Sequence, residues 1–505
     1  MPQTSSKQAS PHPFAAFFPR SAALVGLAAG AFVVTLGFVL YSRAIYGVGY
    51  PLDDAWIHQT YARSLGLHGE WSFLPGQPSA GSTAPLWSAL LAVGYLLRLP
   101  HFAWTFFLGA CALLGLGVLG DALFRALLPG RKIGFPIAGA LLVGEWHMAW
   151  AAVSGMETLV AAGFIALALV LAFTVRGRGW LLAGAIIGLA VWVRPEGVTL
   201  LGPAGLCLLL REPSVRARMR AAGWLAAGVL LLFVPYLLFN LQVQGSLWPN
   251  TFYAKQAEYA ELRSAPLLLR WWNVLRLPLI GVGIFLLPGF LVFTWHSARR
   301  RFAPGMAAVL WFLGYALVYA DRLPVSYQYG RYFMPAMPVF FVAGLAGTVL
   351  LVPALRRSRA GWFAGRVALL SAGAIWAAFL VIGANRYAQD VAIVETEMVQ
   401  AARWVAENTP TDALIAAHDI GALGYFGERR LLDLAGLISP EVIPFIRDEE
   451  RIAGWLDARQ ADYLVVLADW YIRLPAGKPI LYETSGSYSR QSGGGNTHIY
   501  RWQPE

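Results

Sequence analysis

Carboxylates are scarce in the first 384 residues of this chain, eleven in all, yet two of them, Asp53 and Asp54, are adjacent. They stand in YPLDDAWIHQTYARSLGLHGEWSFLPGQPSAGSTAPLW, residues 50–87, a polar passage directly after the first long apolar run. Two neighbouring carboxylates at a membrane boundary are costly to desolvate, so they stay wet, are paired, or are used. A carboxylate there is a suitable general base for a sugar hydroxyl attacking an anomeric carbon, and a suitable ligand for Mg²⁺ or Mn²⁺. The competing role is helix capping at a positive helix end, which one Asp satisfies and which leaves the other unexplained. Asp53 is the favoured base, because Asp54 falls in the first helical turn; both stay candidates.

The remaining charged candidates sit beside apolar runs. Glu157 in VSGMETLV and Glu196 in WVRPEG are flanked by Gly or Pro that interrupts a helix, and Arg194 can pair with Glu196 or with a substrate anion through its planar fork of donors. For Glu157 a structural ion pair is the favoured role. Irregular backbone at membrane depth is tolerated mainly where it lines a cavity, which favours a functional role for Arg194 and Glu196. Lys255 in WPNTFYAK and Arg331 in YGRYFMP supply positive charge for a leaving phosphate, against the alternative of side chains snorkelling at the interface. His58 is a further substrate-contact candidate on the Asp53–Asp54 segment. His418 and Asp419, in AAHDIGALGYF, fall at a strand end that could present them toward the membrane module; an ordinary strand-to-turn junction is the favoured reading.

These residues need positioning elements, and composition says which. With 57% hydrophobic and 13% charged residues in 505, the chain belongs to the membrane class. Residues 1–384 hold 28 Lys and Arg against 11 Asp and Glu, and residues 385–505 hold 11 against 17, which predicts a membrane module followed by a soluble domain. The basic clusters (Arg125/Arg131/Lys132, Arg211 to Arg220, Arg299 to Arg301, Arg356 to Arg359) fall in short gaps between apolar runs, as cytoplasmic loops do; they are not gathered with aromatic platforms, which argues against nucleic acid. Cys111 and Cys207 lie in apolar runs and imply no disulfide framework.

Twelve apolar runs are readable, at about 21–42, 85–98, 102–124, 133–152, 158–175, 180–193, 196–210, 222–243, 276–295, 304–320, 332–354 and 362–384. Lys7 and Arg20 ahead of the first run predict a retained anchor with a cytoplasmic N-terminus. Basic loops at 211–220, 296–301 and 356–366 on the same side place the C-terminal domain outside and require an odd number of crossings, so eleven are expected. The short run 85–98 is the one expected not to cross simply; the alternative is that 180–193 and 196–210 form one broken helix. Residues 54–67 read as an amphipathic helix along the outer interface, capped by Asp53. Beyond 385 the chain predicts an α/β domain with a helix at 388–407, strands at 413–417, 430–434 and 463–467, and helices at 440–447 and 451–458.

The order of DDAWIHQTYARSL and FLPGQPSAGSTAPLW, then SGMET, VRPEG, PNTFYAK, YGRYFMP and HDIGALGYF with LLDLAGL, resembles the polytopic GT-C glycosyltransferases, over residues 50–437. It is most similar to arabinofuranosyltransferases that finish cell-wall arabinan, and more distantly to the protein mannosyltransferase and aminoarabinose transferase group. The resemblance implies an acidic residue of the first outer loop (residues 43–84) at the catalytic centre, a polyprenyl-phosphate sugar as donor, and a soluble domain outside the membrane. By position, Asp53 or Asp54 would be the base and Arg194, Lys255 and Arg331 donor-phosphate contacts. The adjacent Asp-Asp differs from the Asp-x-Asp or Asp-Glu of some relatives, so a metal requirement is left open.

The expectation is a multi-pass glycosyltransferase of the cytoplasmic membrane, carrying sugar from a polyprenyl-phosphate donor to a glycan, lipid or protein acceptor on the outer side. The rivals are a transporter or flippase of lipid-linked sugars, which would use the same broken helices, and a non-catalytic scaffold. No P-loop, H-E-x-x-H or G-x-S-x-G supports ATP-driven transport, zinc proteolysis or serine hydrolysis.

Overall fold

The computed structural model describes residues 21–131 and 133–503, so Lys7, Arg20 and Lys132 lie outside the described residues. The chain opens with α1 (Ser21–Ile45), apolar throughout, then α2 (Asp54–His68), a small antiparallel pair β1 (Ser72–Leu74) and β2 (Gln77–Pro78), α3 (Pro85–Leu96) and α4 (His101–Leu127). It continues through α5 (Ile137–Val143), α6 (Trp146–Val153), α7 (Thr158–Thr174), α8 (Trp180–Val191), α9 (Leu201–Arg211), α10 (Val215–Gln244) and α11 (Asn250–Glu258). The helical body closes with α12 (Leu267–Leu275), α13 (Gly283–Arg299), α14 (Ala303–Arg322), α15 (Met337–Leu355) and α16 (Arg359–Ile393).

Among the described residues six helices are long and apolar enough to cross a membrane: α1, α4, α10, α14, Gln328–Leu355 and Arg359–Asn408. Leu267–Leu279 and Gly283–Arg299, bent by 113°, add a seventh if they form one span. The eleven expected crossings are not reached on length and composition, because several apolar runs fold as short or broken helices. Run 133–152 breaks at Gly144 and Glu145, where the Glu145 carboxylate accepts the N–H groups of His147 (2.9 Å) and Met148 (3.2 Å) and starts a new helix. Arg194 and Pro195 split the next pair through a 3-10 turn, Pro195–Leu200, much as the sequence predicts. The 12 residues of α3 reach only ~18 Å, and the helix buries Trp87 and Leu91 while packing on α2.

Helix α2 departs from the expected interfacial helix with one wet face. Trp56, His58, Gln59, Thr60 and Tyr61 are buried around its girth, because α3 covers one side and the segment Leu423–Gly427 covers another. Asp53 precedes this helix but makes no side-chain cap to it.

Helix α16 passes through Asn385 without interruption, turns through a π segment (Val394–Val399) and continues as α17 (Gln400–Asn408). Beyond it lie β3 (Leu414–Ala417), β4 (Arg430–Asp433), α18 (Glu449–Ala458), β5 (Tyr463–Leu467), β6 (Ile480–Glu483), α19 (Ser487–Gln491) and β7 (Thr497–Arg501). Residues 440–447, expected as a helix, form the 3-10 turn Pro440–Phe445. The sheet order is β4-β3-β5-β7-β6, parallel among β4, β3 and β5 and antiparallel from β5 through β7 to β6. Its apolar runs bury Ala416, Leu432, Leu464 and Val466 against Ile452 and Leu456 of α18. Glu397, fully buried in the π segment, accepts from Thr497 N (2.9 Å) and Asn496 Nδ2 (3.1 Å) and ties the long helix to the sheet.

Candidate active site

The Asp53–Asp54 pair sits where the helical body, α11 and the C-terminal sheet region meet. Asp53 turns toward the C-terminal region: Oδ2 accepts from Gly421 N (2.7 Å) and Oδ1 from Ala422 N (2.8 Å), so both oxygens hold the start of a helical turn far along the chain. Burial and the neighbouring Asp419 carboxylate push Asp53 up to about 8, against the two N–H groups, which favour its charge. A Cβ on Gly421 would lie 2.0 Å from the Asp53 carbonyl oxygen, so glycine is required for this approach. Asp53 is thus engaged as a clasp to the C-terminal region, which differs from its expected role as cap of its own helix.

Asp54 points the other way. Its Oδ2 meets Arg331 NH2 at 2.6 Å. Burial works to raise this carboxyl, but Arg331 outweighs it and, with Lys255, holds it below the usual carboxylate range. Arg331 follows three residues in left-handed backbone, Gln328 (φ 50°), Tyr329 (φ 60°) and Gly330 (φ 72°); the Tyr329 hydroxyl donates to Asp390 Oδ2 (3.0 Å). This tight turn delivers the guanidinium to Asp54.

Both Asp residues line a cavity of about 830 Å³ that also receives Lys255, Arg331, His418 and Asp419. Lys255 Nζ lies 3.3 Å from Glu258 Oε2, and Glu258 Oε1 lies 3.4 Å from His418 Nε2, so α11 links the helical body to the C-terminal region. Asn250 at the other end of α11 donates to the Leu437 carbonyl at 3.1 Å. His418 is further held by the Tyr471 hydroxyl at 2.8 Å and packs edge-on against Trp470. Among the described residues the Asp419 side chain makes no hydrogen bond or ion pair, and burial raises it above its usual value. His418 and Asp419 therefore face the cavity, the less favoured of the two sequence readings.

A smaller cavity, about 60 Å³, shares Asp54, Lys255 and Arg331 with the first and adds His58, Glu157 and Arg194. Glu157 Oε1 bonds Arg194 Nε at 2.7 Å, and its Oε2 lies 3.4 Å from His58 Nε2. His58 Nδ1 contacts Ser88 Oγ at 2.9 Å, and Arg194 NH1 donates to the Tyr332 carbonyl at 3.2 Å. Arg194 thus takes Glu157 as partner, where the sequence offers Glu196 or a substrate anion; Glu196 lines neither cavity. Glu258 and Tyr471 were not singled out from the sequence, since a lone Glu in a loop and a Tyr beside a Trp carry no spacing signal.

The donor set does not suit Asp53 and Asp54 as a two-carboxylate Mg²⁺ or Mn²⁺ site. Both Asp53 oxygens face N–H groups and Asp54 carries a guanidinium; among the described residues no group of three His, Cys, Asp or Glu is arranged to hold a metal ion.

Residues 385–500 match a family described as a domain of unknown function (DUF8728). No curated protein matches the chain. Among solved structures, ArnT from Cupriavidus metallidurans bound to undecaprenyl phosphate is 15% identical, covering 96% of this chain and 99% of its own, with a TM-score of 0.59. The archaeal oligosaccharyltransferase AglB from Archaeoglobus fulgidus, in complex with an inhibitory peptide and a dolichol-phosphate, is 14% identical over 88% of this chain and 69% of its own, at 0.60. Arabinofuranosyltransferase AftD from Mycobacteria is 16% identical over 94% of this chain and 40% of its own, at 0.50. At such identities the likeness speaks to architecture alone, and the architecture of this chain is GT-C-like.

Proposed function

We propose that the protein is a membrane glycosyltransferase that moves a sugar from a polyprenyl-phosphate donor to a glycan, lipid or protein acceptor. The observation that carries this reading is a carboxylate, Asp54, set against Arg331 and near Lys255 on the wall of a cavity of about 830 Å³. Undecaprenyl phosphate and dolichol-phosphate in the ArnT and AglB structures support the donor class.

In this reading Asp54 is the base and Asp53 the clasp. Asp54 takes the proton of an acceptor hydroxyl as its oxygen bonds to the anomeric carbon. The bond from that carbon to the phosphate oxygen breaks, and its electron pair leaves with the polyprenyl phosphate, which Arg331 and Lys255 stabilise. A carboxylate held down by Arg331 is a weak base, but a bound phosphate competes for that guanidinium. Donor binding therefore raises Asp54 toward the range where a base is effective. Arg194 and Glu157, with His58, form the floor of the smaller chamber and orient Arg194 toward the same phosphate. No step is routed through a metal ion.

Eleven crossings are part of the proposal: α1, α4, the broken α5 and α6, α7, α8, α9, α10, the bent α12 and α13, α14, α15 and α16, with α3 not crossing. The N-terminus is then cytoplasmic, and the region after residue 384 forms a separate domain outside the cytoplasmic membrane. Single cysteines in the loops, labelled by an impermeant reagent, check this; labelling of the 245–266 loop only from the cytoplasm contradicts it. The function is tested with purified protein in nanodiscs and a panel of polyprenyl-phosphate sugars, measuring released polyprenyl phosphate and glycosylated acceptor. Movement of lipid-linked sugar across liposomes with no release would replace this reading by a transporter.

A further inference from the structure

A cavity of about 1260 Å³ lies at the opposite end of the helices. Helix α4 joins the two sites. It begins at His101, whose ring is 5.6 Å from that of Tyr425 in the turn held by Asp53, and ends beyond Arg125 in the second cavity. Its 27 residues span ~40 Å, so the cavities face opposite sides of a bilayer.

The charged lining is of one sign: Arg125, Arg131, Arg211, Arg300 and Arg301, with His296 and Thr174 beside them and no Asp or Glu among the lining residues. Arg125 pairs with Asp121 at 2.8 Å, and Arg211 donates to the Ala172 carbonyl at 2.9 Å. Among the described residues the side chains of Arg131, Arg300 and Arg301 make no hydrogen bond or ion pair. Arg301 adopts left-handed backbone (φ 49°), closed by Arg301 N on the Ala298 carbonyl and Phe302 N on the Ser297 carbonyl. That strained turn places two unpartnered guanidinium groups at the cavity. Between the arginines stand Phe173, Leu210, Phe302 and Leu350, and Leu209 and Leu210 beside the opening are more than half exposed.

Positive charge flanking membrane helices is ordinary topology signalling and needs only loops. A chamber lined by five arginines and apolar residues, with no acidic side chain on its wall, is more than that role requires, since like charges gathered on one wall repel unless an anion joins them. Basic pockets between membrane helices suit lipid headgroups. We infer that this cavity binds the phosphodiester headgroup of an anionic phospholipid in the leaflet opposite the candidate active site, with Arg300 and Arg301 on the phosphate and the acyl chains leaving over Leu209 and Leu210.

The test is native mass spectrometry of the full chain, delipidated and then offered phosphatidylglycerol or phosphatidylcholine, for wild type and the Arg300→Gln/Arg301→Gln double variant. Wild type is expected to retain phosphatidylglycerol in preference, and the double variant to lose about thirtyfold of that affinity, from two guanidinium contacts. Should the double variant fail to fold, the single change Arg300→Gln takes its place, with a loss of about fivefold expected from one contact. Equal retention by wild type and variant overturns the inference, leaving the arginines as topology signals. Displacement of phosphatidylglycerol by an excess of inorganic phosphate overturns it also, by assigning the cavity to a free anion.

Discussion

Asp54→Asn separates the two carboxylates by removing one charge and almost no volume. Asp54 and Arg331 meet at 2.6 Å, with side chains 29% and 7% exposed. At an effective dielectric constant of about 20 their attraction is ~6 kcal/mol, and desolvation offsets roughly half, leaving about 3 kcal/mol. The variant should therefore melt lower yet fold, with a buried guanidinium that has lost its carboxylate. Such an Arg331 holds a phosphate more tightly, so KM for the polyprenyl-phosphate donor should stay level or fall, while kcat drops by about 10² to 10⁴ with the loss of a general base. The assay is release of polyprenyl phosphate against donor concentration, at fixed acceptor, in nanodiscs. Turnover within about tenfold of wild type would refute the assignment. So would a raised KM with kcat unchanged, the signature of lost binding alone. If the loss in kcat followed Asp419→Asn instead, the base would be the unpartnered carboxylate across the cavity.

Above pH ~8, where Asp53 is ionised, Asp53→Asn turns one acceptor oxygen into a donor facing the N–H of Gly421 or Ala422, at a cost of about 1–3 kcal/mol, and should speed proteolysis after residue 409; unchanged proteolysis there speaks against the clasp. The Asp53 carboxyl stands at about 8, above its unfolded value near ~3.9, so its protonation adds stability that is complete below ~3.9 and is lost as pH rises to about 8. The melting temperature should accordingly decline over that window and level beyond it, and Asp53→Asn should remove this component; identical profiles refute it. Arg194→Gln leaves Glu157 buried without its partner and should cost about 3–5 kcal/mol, whereas Arg194→Gln with Glu157→Gln should cost less than the two single changes together. Strict additivity in thermal unfolding would show that the pair is not coupled. Removal of divalent ions by EDTA should leave turnover intact, because the carboxylates are engaged by N–H groups and guanidinium; loss restored by Mn²⁺ would reverse that.

The sequence carried the residue types of the site much further than their partnerships. Apolar runs, basic gaps and the polar passage after the first run locate Asp53, Asp54, Lys255 and Arg331, all of which line one cavity. What spacing does not encode is pairing between distant segments: the groups held by Asp53 lie 368 and 369 residues away, and Glu157 meets Arg194 across 37. Arg194 can be read as a local partner of Glu196, but at the 3-10 turn that begins with Pro195 its guanidinium pairs with Glu157. The number of crossings is hard to read for a related reason: hydropathy measures apolar length, while Glu145 caps a new helix inside a run that looks continuous and Pro195 breaks the chain between two others.

The adjacency of Asp53 and Asp54 has a geometric reason. Asp53 already has helical backbone (φ −62°, ψ −34°) and Asp54 opens α2, so their side chains leave the helix axis ~100° apart. Two carboxylates thus serve two neighbours that a single one could not reach: Asp53 faces the turn at Gly421, and Asp54 faces Arg331. Arg63, nine residues further along α2, adds to the same clasp by donating to the carbonyls of Tyr425 (2.9 Å) and Gly424 (3.3 Å). The turn so held follows directly on His418 and Asp419, which line the cavity opposite Asp54. One carboxylate of the pair therefore helps to bring the C-terminal region to the other, together with Arg63 and the contacts of α11.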